Sequence, residues 1–247
     1  SNYSRVEEYV KKNKINKIIN CAAYTSVDEA ERQSEKANSI NNLAVYNLAK
    51  ISKLNSIGLI HISTDYVFDG TSKTAYVEND KTNPLSIYGK TKLEGELIMQ
   101  KINPSNSLII RTSWLHSKYG KNFVKKIFLL AKKYNQIDVV SDQIGSPTNA
   151  SDLARFILTI LPKIKTKNVE LYHYSNEGSC SWYDFAKAIC KKNDINIKLN
   201  PVKSNNLSYN AKRPSYSVLN TDLIKRKFNV EIPNWKDSLS YSISLTE

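Results

Sequence analysis

The segment YGKTK places the phenol of Tyr88 and the ammonium group of Lys92 four residues apart. In a helix, residues i and i+4 lie on the same face, so the two side chains would be neighbours. A tyrosine has an ordinary pKa of about 10, and a nearby lysine cation favours the phenolate and lowers that pKa. The pair is therefore a candidate proton donor for a carbonyl that is reduced, or a proton acceptor for an alcohol that is oxidised.

The same spacing also joins Tyr46 to Lys50 and Tyr183 to Lys187, in a chain with 15 tyrosines and many lysines. The first of these pairs lies inside a long helical pattern, and the second opens a capped helix late in the chain. Neither pair follows a strand that ends in polar side chains. Spacing alone therefore does not select the functional pair.

A hydroxyl and a carboxylate at the end of an apolar strand favour Tyr88 over the other two tyrosines. Residues 59–66 (LIHISTDY) have the pattern of a short strand that ends in Thr64 and Asp65. Ligands of parallel α/β sheets bind at the carboxyl ends of strands, and a polar loop leads from this end to Tyr88. We therefore expect Thr64 and Asp65 to hold a substrate beside Tyr88. His61 alternates into the sheet and is interpreted as structural.

Composition indicates a globular chain without a membrane span. The 247 residues suffice for one large domain or two smaller ones. No apolar run approaches the ~18–20 residues of a membrane helix, and the polar N-terminus gives no sign of a signal peptide. The three cysteines have no metal-binding spacing, so we expect free thiols in a reducing cytoplasm and no metal site.

The formal net charge of +13 raises the question of nucleic-acid binding. The lysines are scattered over predicted helix surfaces, which favours a solvated basic surface and no nucleic-acid partner. A basic field would also attract an anionic nucleotide substrate.

Alternating helix and strand patterns predict an α/β fold, with a Rossmann-like parallel sheet, crossover helices and a smaller C-terminal substrate-binding part. Strands are predicted at 17–23, 58–62, 108–112, 137–140, 169–174 and, as an edge strand, 195–202. Helices are predicted at 3–13, 37–54, 86–101 and 123–134, with a polar turn at 26–31. A turn-rich stretch after Asp142 suggests a soft boundary between a cofactor-binding domain at 1–142 and the substrate-binding part at 143–247.

Five segments, in this order, resemble motifs of the extended short-chain dehydrogenase/reductases, and within them of the dTDP-4-dehydrorhamnose reductases. These are 20–28 (NCAAYTSVD), 63–70 (STDYVFDG), 88–96 (YGKTKLEGE), 111–114 (RTSW) and 142–148 (DQIGSPT). Arg213 and Pro214, followed by Ser217 and Leu219, resemble the family's C-terminal substrate loop. The matches run over nearly the whole chain, which makes them far more specific than any single motif.

The resemblance implies a role for each matching residue. Tyr88 matches the proton donor, Lys92 the residue that holds the nicotinamide ribose and tunes the tyrosine, and Thr64 the hydroxyl that bonds the reacting group. Positions that match the cofactor-lining segment are Ala23, Tyr24 and Thr25, beside Tyr88 and Lys92. Positions that match residues facing the sugar nucleotide are Asp65 and Trp114, with Thr64. The implied cofactor is NADPH or NADH, the implied substrate is a nucleotide sugar with a 4-keto-6-deoxyhexose, and a homodimer is compatible.

One departure from the family pattern concerns the cofactor pyrophosphate. The family begins with a strand and a Gly-x-x-Gly-x-x-Gly turn that holds the pyrophosphate at a helix N-terminus. That turn is absent from this sequence, which contains 7 glycines. Either the sequence begins after the first β-α-β unit, or the unit is lost. Loss would leave a gap in the middle of the sheet, so we expect the former.

Two other functions remain open at the level of sequence. A nucleotide-sugar epimerase or dehydratase would share the Tyr88 and Lys92 pair, but dehydratases of this class usually carry acidic residues after the strand-end threonine. Here Asp65 is followed by Tyr66, Val67 and Phe68. The other alternative is a non-catalytic binding subunit like the regulatory subunit of methionine adenosyltransferase, which has no need of Thr64, Tyr88 and Lys92 together.

Overall fold

The computed structural model describes residues 2–239. The strands, in chain order, are β1 Lys17–Asn20, β2 Gly58–Thr64, β3 Leu108–Thr112, β4 Leu115–His116, β5 Gln136–Val140, β6 Ile144–Gly145, β7 Thr148–Asn149, β8 Glu170–His173, β9 Cys180–Ser181 and β10 Lys198–Val202. The α-helices are α1 Tyr3–Lys12, α2 Val27–Ala30, α3 Ser34–Asn38, α4 Ala44–Leu54, α5 Ile87–Ile102, α6 Phe123–Lys133, α7 Ala150–Ile160, α8 Trp182–Lys192, α9 Asp222–Phe228 and α10 Trp235–Ser238.

The central sheet has four parallel strands in the order β1-β2-β3-β8. This arrangement confirms the predicted α/β class with a parallel sheet. Every residue of β3 is buried, as the continuous apolar pattern of a strand covered on both faces requires. Because Thr64 lies opposite Thr112 in the register, the carboxyl ends of β2 and β3 stand level and their following loops meet.

The sheet is continuous within the described residues. In the order β1-β2-β3-β8 each strand is hydrogen-bonded to the next, and β1 lies at one end of the sheet. The inference that loss of the first β-α-β unit would leave a gap in the middle of the sheet is therefore wrong, since β1 bonds β2 directly from Lys17 to Asn20.

A second parallel pair consists of β5 and β10. The sequence order suggested that β5 would join the central sheet, but its partner comes from about sixty residues further along the chain, and the β3 edge is taken by β8. Both pairings join segments from the two sides of residue 142. The division of the chain at that residue stays a prediction.

Helices α4 and α5 cover one face of the sheet. Their buried residues Val45, Ala49 and Met99 pack against Leu59 of β2 and Ile109 of β3. Each fully buried Val, Leu, Ile or Met side chain contributes about 1.5–3 kcal/mol relative to exposure. This packing fixes α5, which carries Tyr88 and Lys92, against the sheet.

The predicted helix 37–54 is interrupted, and the predicted turn at 26–31 contains the short helix α2. The interruption is the π-helical segment Ser39–Leu43, which includes the buried Asn41. The Asn41 side chain accepts a hydrogen bond from Tyr24 N–H at 2.8 Å and donates one to Thr91 Oγ1 at 3.1 Å. Inserted turns of this kind are frequent at functional sites, and this one connects the loop after β1 to α5.

Candidate active site

A cavity of about 250 Å³ lies at the carboxyl ends of β1, β2 and β3. The side chains around it come from the ends of β2 and β3, from the segments that follow β1, β2 and β3, from α5 and from the start of α8. They are Cys21, Ala23, Thr25, Val27, Ile62, Ser63, Thr64, Asp65, Tyr66, Tyr88, Lys92, Thr112, Ser113, Trp114, Leu115 and Trp182. All but one of the site residues predicted from the sequence therefore line a single cavity.

The exception is Tyr24, which does not line the cavity. Asn41 holds the backbone of Tyr24, and the Tyr24 ring lies 5.8 Å from Lys36 Nζ. Its neighbours Ala23 and Thr25, both with small side chains, do line the cavity.

Tyr88 lies in the first turn of α5. Ser86 caps the helix by accepting a hydrogen bond from Gly89 N–H at 3.2 Å. Gly89 permits a close approach to the previous loop, because a Cβ at this position would lie 2.2 Å from Tyr66 O. The Tyr66 ring packs edge-to-face against the Tyr88 ring with centroids 5.6 Å apart. The cap, the glycine and the ring contact together fix the position of the Tyr88 phenol.

Thr64 connects Tyr88 to Asp65 by hydrogen bonds. The Thr64 hydroxyl donates to Asp65 Oδ1 at 3.1 Å and accepts from Tyr66 N–H at 3.2 Å. It is also hydrogen-bonded to the Tyr88 phenol. Burial raises the pKa of Asp65 to about 7.

Burial also raises the pKa of Tyr88 to about 12, against the opposing effect of its hydrogen bond with Thr64, and the Asp65 carboxylate raises it further. The expectation that Lys92 lowers this pKa is therefore wrong here. Lys92 Nζ is directed elsewhere, donating to Ile62 O at 2.6 Å. Tyr88 consequently remains a protonated phenol at neutral pH.

Lys92 is almost fully buried, with 1% of its surface exposed. Burial lowers its pKa to about 8, although the nearby Glu96 and Cys21 act in the opposite direction. Its Nζ also lies 3.3 Å from Nε2 of His61. His61 is thus buried in β2, and it contacts the candidate site directly, which sequence reasoning missed.

Trp182 is a second residue that sequence reasoning missed. Its ring stacks on that of Trp114 at a centroid distance of 3.5 Å and an interplanar angle of 7°. The backbone of Trp114 has φ +47°, a left-handed conformation that is rare for a bulky side chain and typical of functional or strained positions. The only signal in the sequence was an unexplained tryptophan at the start of α8.

A second cavity, also of about 250 Å³, adjoins the first and shares Tyr66 and Trp182 with it. Arg213, from the segment matched to the family's substrate loop, lines this cavity and forms an ion pair with Asp28. Arg213 also lies over the Tyr209 ring at 4.1 Å. Burial alone would raise the pKa of Asp28, but hydrogen bonds from Arg213 and from backbone N–H groups lower it.

Two negative findings apply to the part of the chain that the structure describes. No cluster of three or more His, Cys, Asp or Glu side chains is arranged to hold a metal ion. None of the helices in the same range is both long and apolar enough to cross a membrane.

Comparison with known proteins gives consistent matches. Residues 1–246 match the family described as the RmlD substrate binding domain. The dTDP-4-dehydrorhamnose reductase of Sinorhizobium fredii is 39% identical over 229 residues, which are 90% of this chain and 77% of that protein.

Two crystal structures are similar along almost the whole chain. The dTDP-4-dehydrorhamnose reductase of Clostridium acetobutylicum has a TM-score of 0.92 and 40% identity, covering 99% of this chain and 85% of that one. The dTDP-4-dehydrorhamnose reductase of Bacillus anthracis, solved in complex with NADP, has a TM-score of 0.92 and 38% identity. The match covers 97% of this chain and 84% of that one.

Proposed function

The chain belongs to the RmlD substrate binding domain family, and from this premise we propose that it reduces the 4-keto group of dTDP-4-dehydrorhamnose to give dTDP-L-rhamnose. NADPH or NADH is the reductant, and Tyr88 is the proton donor. The observation that carries the proposal is the meeting of Thr64, Tyr88 and Lys92 at one cavity at the carboxyl ends of the strands.

Proton transfer to the sugar oxygen is assigned to Tyr88. Its phenol is protonated at neutral pH because burial raises its pKa to about 12, so it begins the reduction in the acid form. In the free protein the Thr64 hydroxyl donates to Asp65, whose pKa is about 7. Thr64 lines the same cavity as Tyr88, and on substrate binding its hydroxyl would turn from Asp65 to donate to the carbonyl oxygen.

The residues present fit the nicotinamide end of the cofactor. Ala23, Thr25 and Lys92 all line the cavity, and the side chains of Ala23 and Thr25 are small. Within residues 2–239 the buried hydroxyls Ser63 Oγ and Thr112 Oγ1 have no hydrogen-bond partner, which leaves them available to bond a ligand. When bound, NADPH or NADH supplies the hydride, and Lys92 would hold the nicotinamide ribose.

The second cavity is assigned to the nucleotide part of the substrate. It adjoins the first at Tyr66 and Trp182, so a sugar at Tyr88 would be continuous with a nucleotide there. The Arg213 and Lys126 side chains give this cavity cations for a diphosphate. The Trp114 and Trp182 stack forms the wall beside the sugar.

The direct test is to incubate the full-length protein with dTDP-4-dehydrorhamnose and either NADPH or NADH. We expect the absorbance of the reduced nicotinamide to fall, with one dTDP-L-rhamnose formed per cofactor oxidised. An epimerase or dehydratase would change the sugar without net oxidation of the cofactor. A non-catalytic binding subunit would bind ligands and change neither. Either result would overturn the proposal.

A further inference from the structure

Asp28 joins two segments of the chain that are far apart in sequence, since 182 residues separate it from Asn210. Asp28 Oδ1 accepts hydrogen bonds from the backbone N–H groups of Asn210 and Ala211, at 3.0 and 3.1 Å. Arg213 Nη1 donates to the same oxygen at 3.2 Å, and Arg213 Nη2 donates to Oδ2. One carboxylate therefore holds both the backbone and the guanidinium group of the segment 210–213.

The guanidinium group of Arg213 is held on its edge and on its face. Both hydrogens of Nη1 are used, because Nη1 also donates to Ala211 O at 3.1 Å. The flat face of the group lies over the Tyr209 ring, 4.1 Å from its centroid. The Nε–H and one Nη2–H are left for other partners, and the Tyr66 phenol is one of them.

This contact lies where the two cavities meet. Tyr66 lines both cavities, and Asp28 and Arg213 line the second one. Val27, the residue before Asp28, lines the first. In a nucleotide sugar the diphosphate lies between the nucleoside and the sugar. A ligand with its sugar at Tyr88 and its nucleoside in the second cavity would therefore bring its diphosphate to this junction.

We propose that Asp28 is a positioning residue for the nucleotide sugar, which holds Arg213 and the segment 210–213 in the arrangement that binds the diphosphate. The inference rests on the proposed function, because that function assigns the second cavity to the nucleotide part of the substrate. Asp28 acts through Arg213 and does not touch the reacting atoms.

The charge of Asp28 by itself would have the opposite effect on an anionic ligand. A carboxylate repels a diphosphate, so simple repulsion predicts that removing the charge tightens binding. The Asp28 side chain is 38% exposed and paired with Arg213, however, so solvent and the guanidinium group both screen it. Without Asp28, the ligand would have to order Arg213 and the segment 210–213 when it binds, which costs affinity. The two effects differ in sign, so a binding measurement separates them.

The test is calorimetric titration of the full-length protein with dTDP, comparing wild type with Asp28→Asn. Asparagine has nearly the same size and keeps an oxygen for the N–H groups of Asn210 and Ala211. It loses the charge, and its amide NH₂ faces the guanidinium of Arg213, which has donors only. We expect the Kd for dTDP to rise about tenfold or more. The Kd for NADPH should stay within about twofold, which shows that the variant is folded.

Two comparisons identify the cause of the loss. Asp138→Asn removes a carboxylate that lines the same cavity but bonds Asn200 at 2.9 Å, so it should not raise the Kd for dTDP. Arg213→Met removes the side chain that Asp28 holds and should itself weaken dTDP binding. Adding Asp28→Asn to Arg213→Met should then change the Kd by less than about twofold.

The possible outcomes distinguish this inference from the proposed function. Unchanged or tighter dTDP binding by Asp28→Asn would overturn the inference and leave the proposed function standing. An equal loss of affinity on adding Asp28→Asn to wild type and to Arg213→Met would also overturn it, because Asp28 would then act independently of Arg213. A wild-type protein that does not bind dTDP would refute the assignment of the second cavity, and this inference with it.

Discussion

Replacing Tyr88 by phenylalanine removes one oxygen and leaves the ring that packs against Tyr66. The variant should fold, because Thr64 keeps its hydrogen bonds to Tyr66 N–H and Asp65 Oδ1. The loss of one neutral hydrogen bond costs about 0.5–1.5 kcal/mol of unfolding free energy. Urea unfolding should therefore show a small decrease in stability and an unchanged dependence on denaturant.

Turnover should fall far more than stability. A positioned general acid contributes a factor of about 10²–10⁴, which corresponds to about 3–5 kcal/mol of activation free energy. Thr64 does not replace the lost acid, because a threonine hydroxyl can hydrogen-bond the carbonyl oxygen but has no reason to ionise. We therefore expect kcat to fall by at least about 10² in Tyr88→Phe. KM for the sugar nucleotide should change much less, because we assign the nucleotide contacts to the neighbouring cavity.

Two matched controls have the same residue spacing. In the structure Tyr46 lies on α4 with Lys50 Nζ 5.5 Å from its ring, and Tyr183 lies on α8 with Lys187 Nζ 4.7 Å from its ring. Neither tyrosine lines the cavity around Tyr88. Tyr46→Phe and Tyr183→Phe should therefore retain kcat within about twofold, a change of less than about 0.5 kcal/mol.

The assay is the rate of reduced-nicotinamide oxidation with dTDP-4-dehydrorhamnose, measured at saturating cofactor. Retention of more than half of the wild-type kcat by Tyr88→Phe would refute its role as the acid. A control variant that loses as much kcat as Tyr88→Phe would refute the choice of tyrosine.

Three further predictions concern stability. Glu96 and Arg111 form a buried ion pair at 2.7 Å, so Glu96→Gln should lower the unfolding free energy by about 3–5 kcal/mol. The double variant Glu96→Leu with Arg111→Met should lose less unfolding free energy, because it leaves no unpaired buried charge. The opposite order of stabilities in urea unfolding would contradict this account. A Cβ at Gly89 would lie 2.2 Å from Tyr66 O, so Gly89→Ala should lower the unfolding free energy by about 1–3 kcal/mol. It should also reduce kcat by displacing the start of α5. An unchanged unfolding free energy and kcat would show that the loop at Tyr66 moves without cost. The pKa of Asp65 is raised to about 7, so between about pH 4 and 7 the folded chain keeps a proton that the unfolded chain has lost, and stability falls as pH rises. Asp65→Asn should therefore gain unfolding free energy relative to wild type between about pH 4 and 8, whereas a pH-independent difference would exclude a raised pKa.

The candidate site could largely be predicted because its main features are local in sequence. A spacing of four residues places Tyr88 and Lys92 on one helix face wherever that helix lies. An apolar run that ends in Thr64 and Asp65 identifies the carboxyl end of a strand, which is where parallel sheets bind ligands. The order of helices and strands gave the class of fold for the same reason, since each element is specified by its own periodicity.

The contacts that only the tertiary structure decided join residues that are distant in sequence. Asn20 and His61 are 41 residues apart, and His61 and Lys92 are 31 apart. No local pattern indicates that they meet, so the contact of Lys92 with His61 could not be read from its neighbours in the chain.

The burial of side chains and the pairing of strands both depend on how separate segments of the chain pack together. The pKa of Tyr88 depends on how completely the folded chain excludes water from the phenol, and burial outweighs the cation that the sequence places nearby. Which strands pair depends on the competition of all strands for each sheet edge, which is how β8 takes the place beside β3 and β5 pairs with β10. The sequence determined the chemical groups and their local order, whereas the tertiary structure decided their desolvation and their distant hydrogen-bond partners, because both arise only when separate segments pack together.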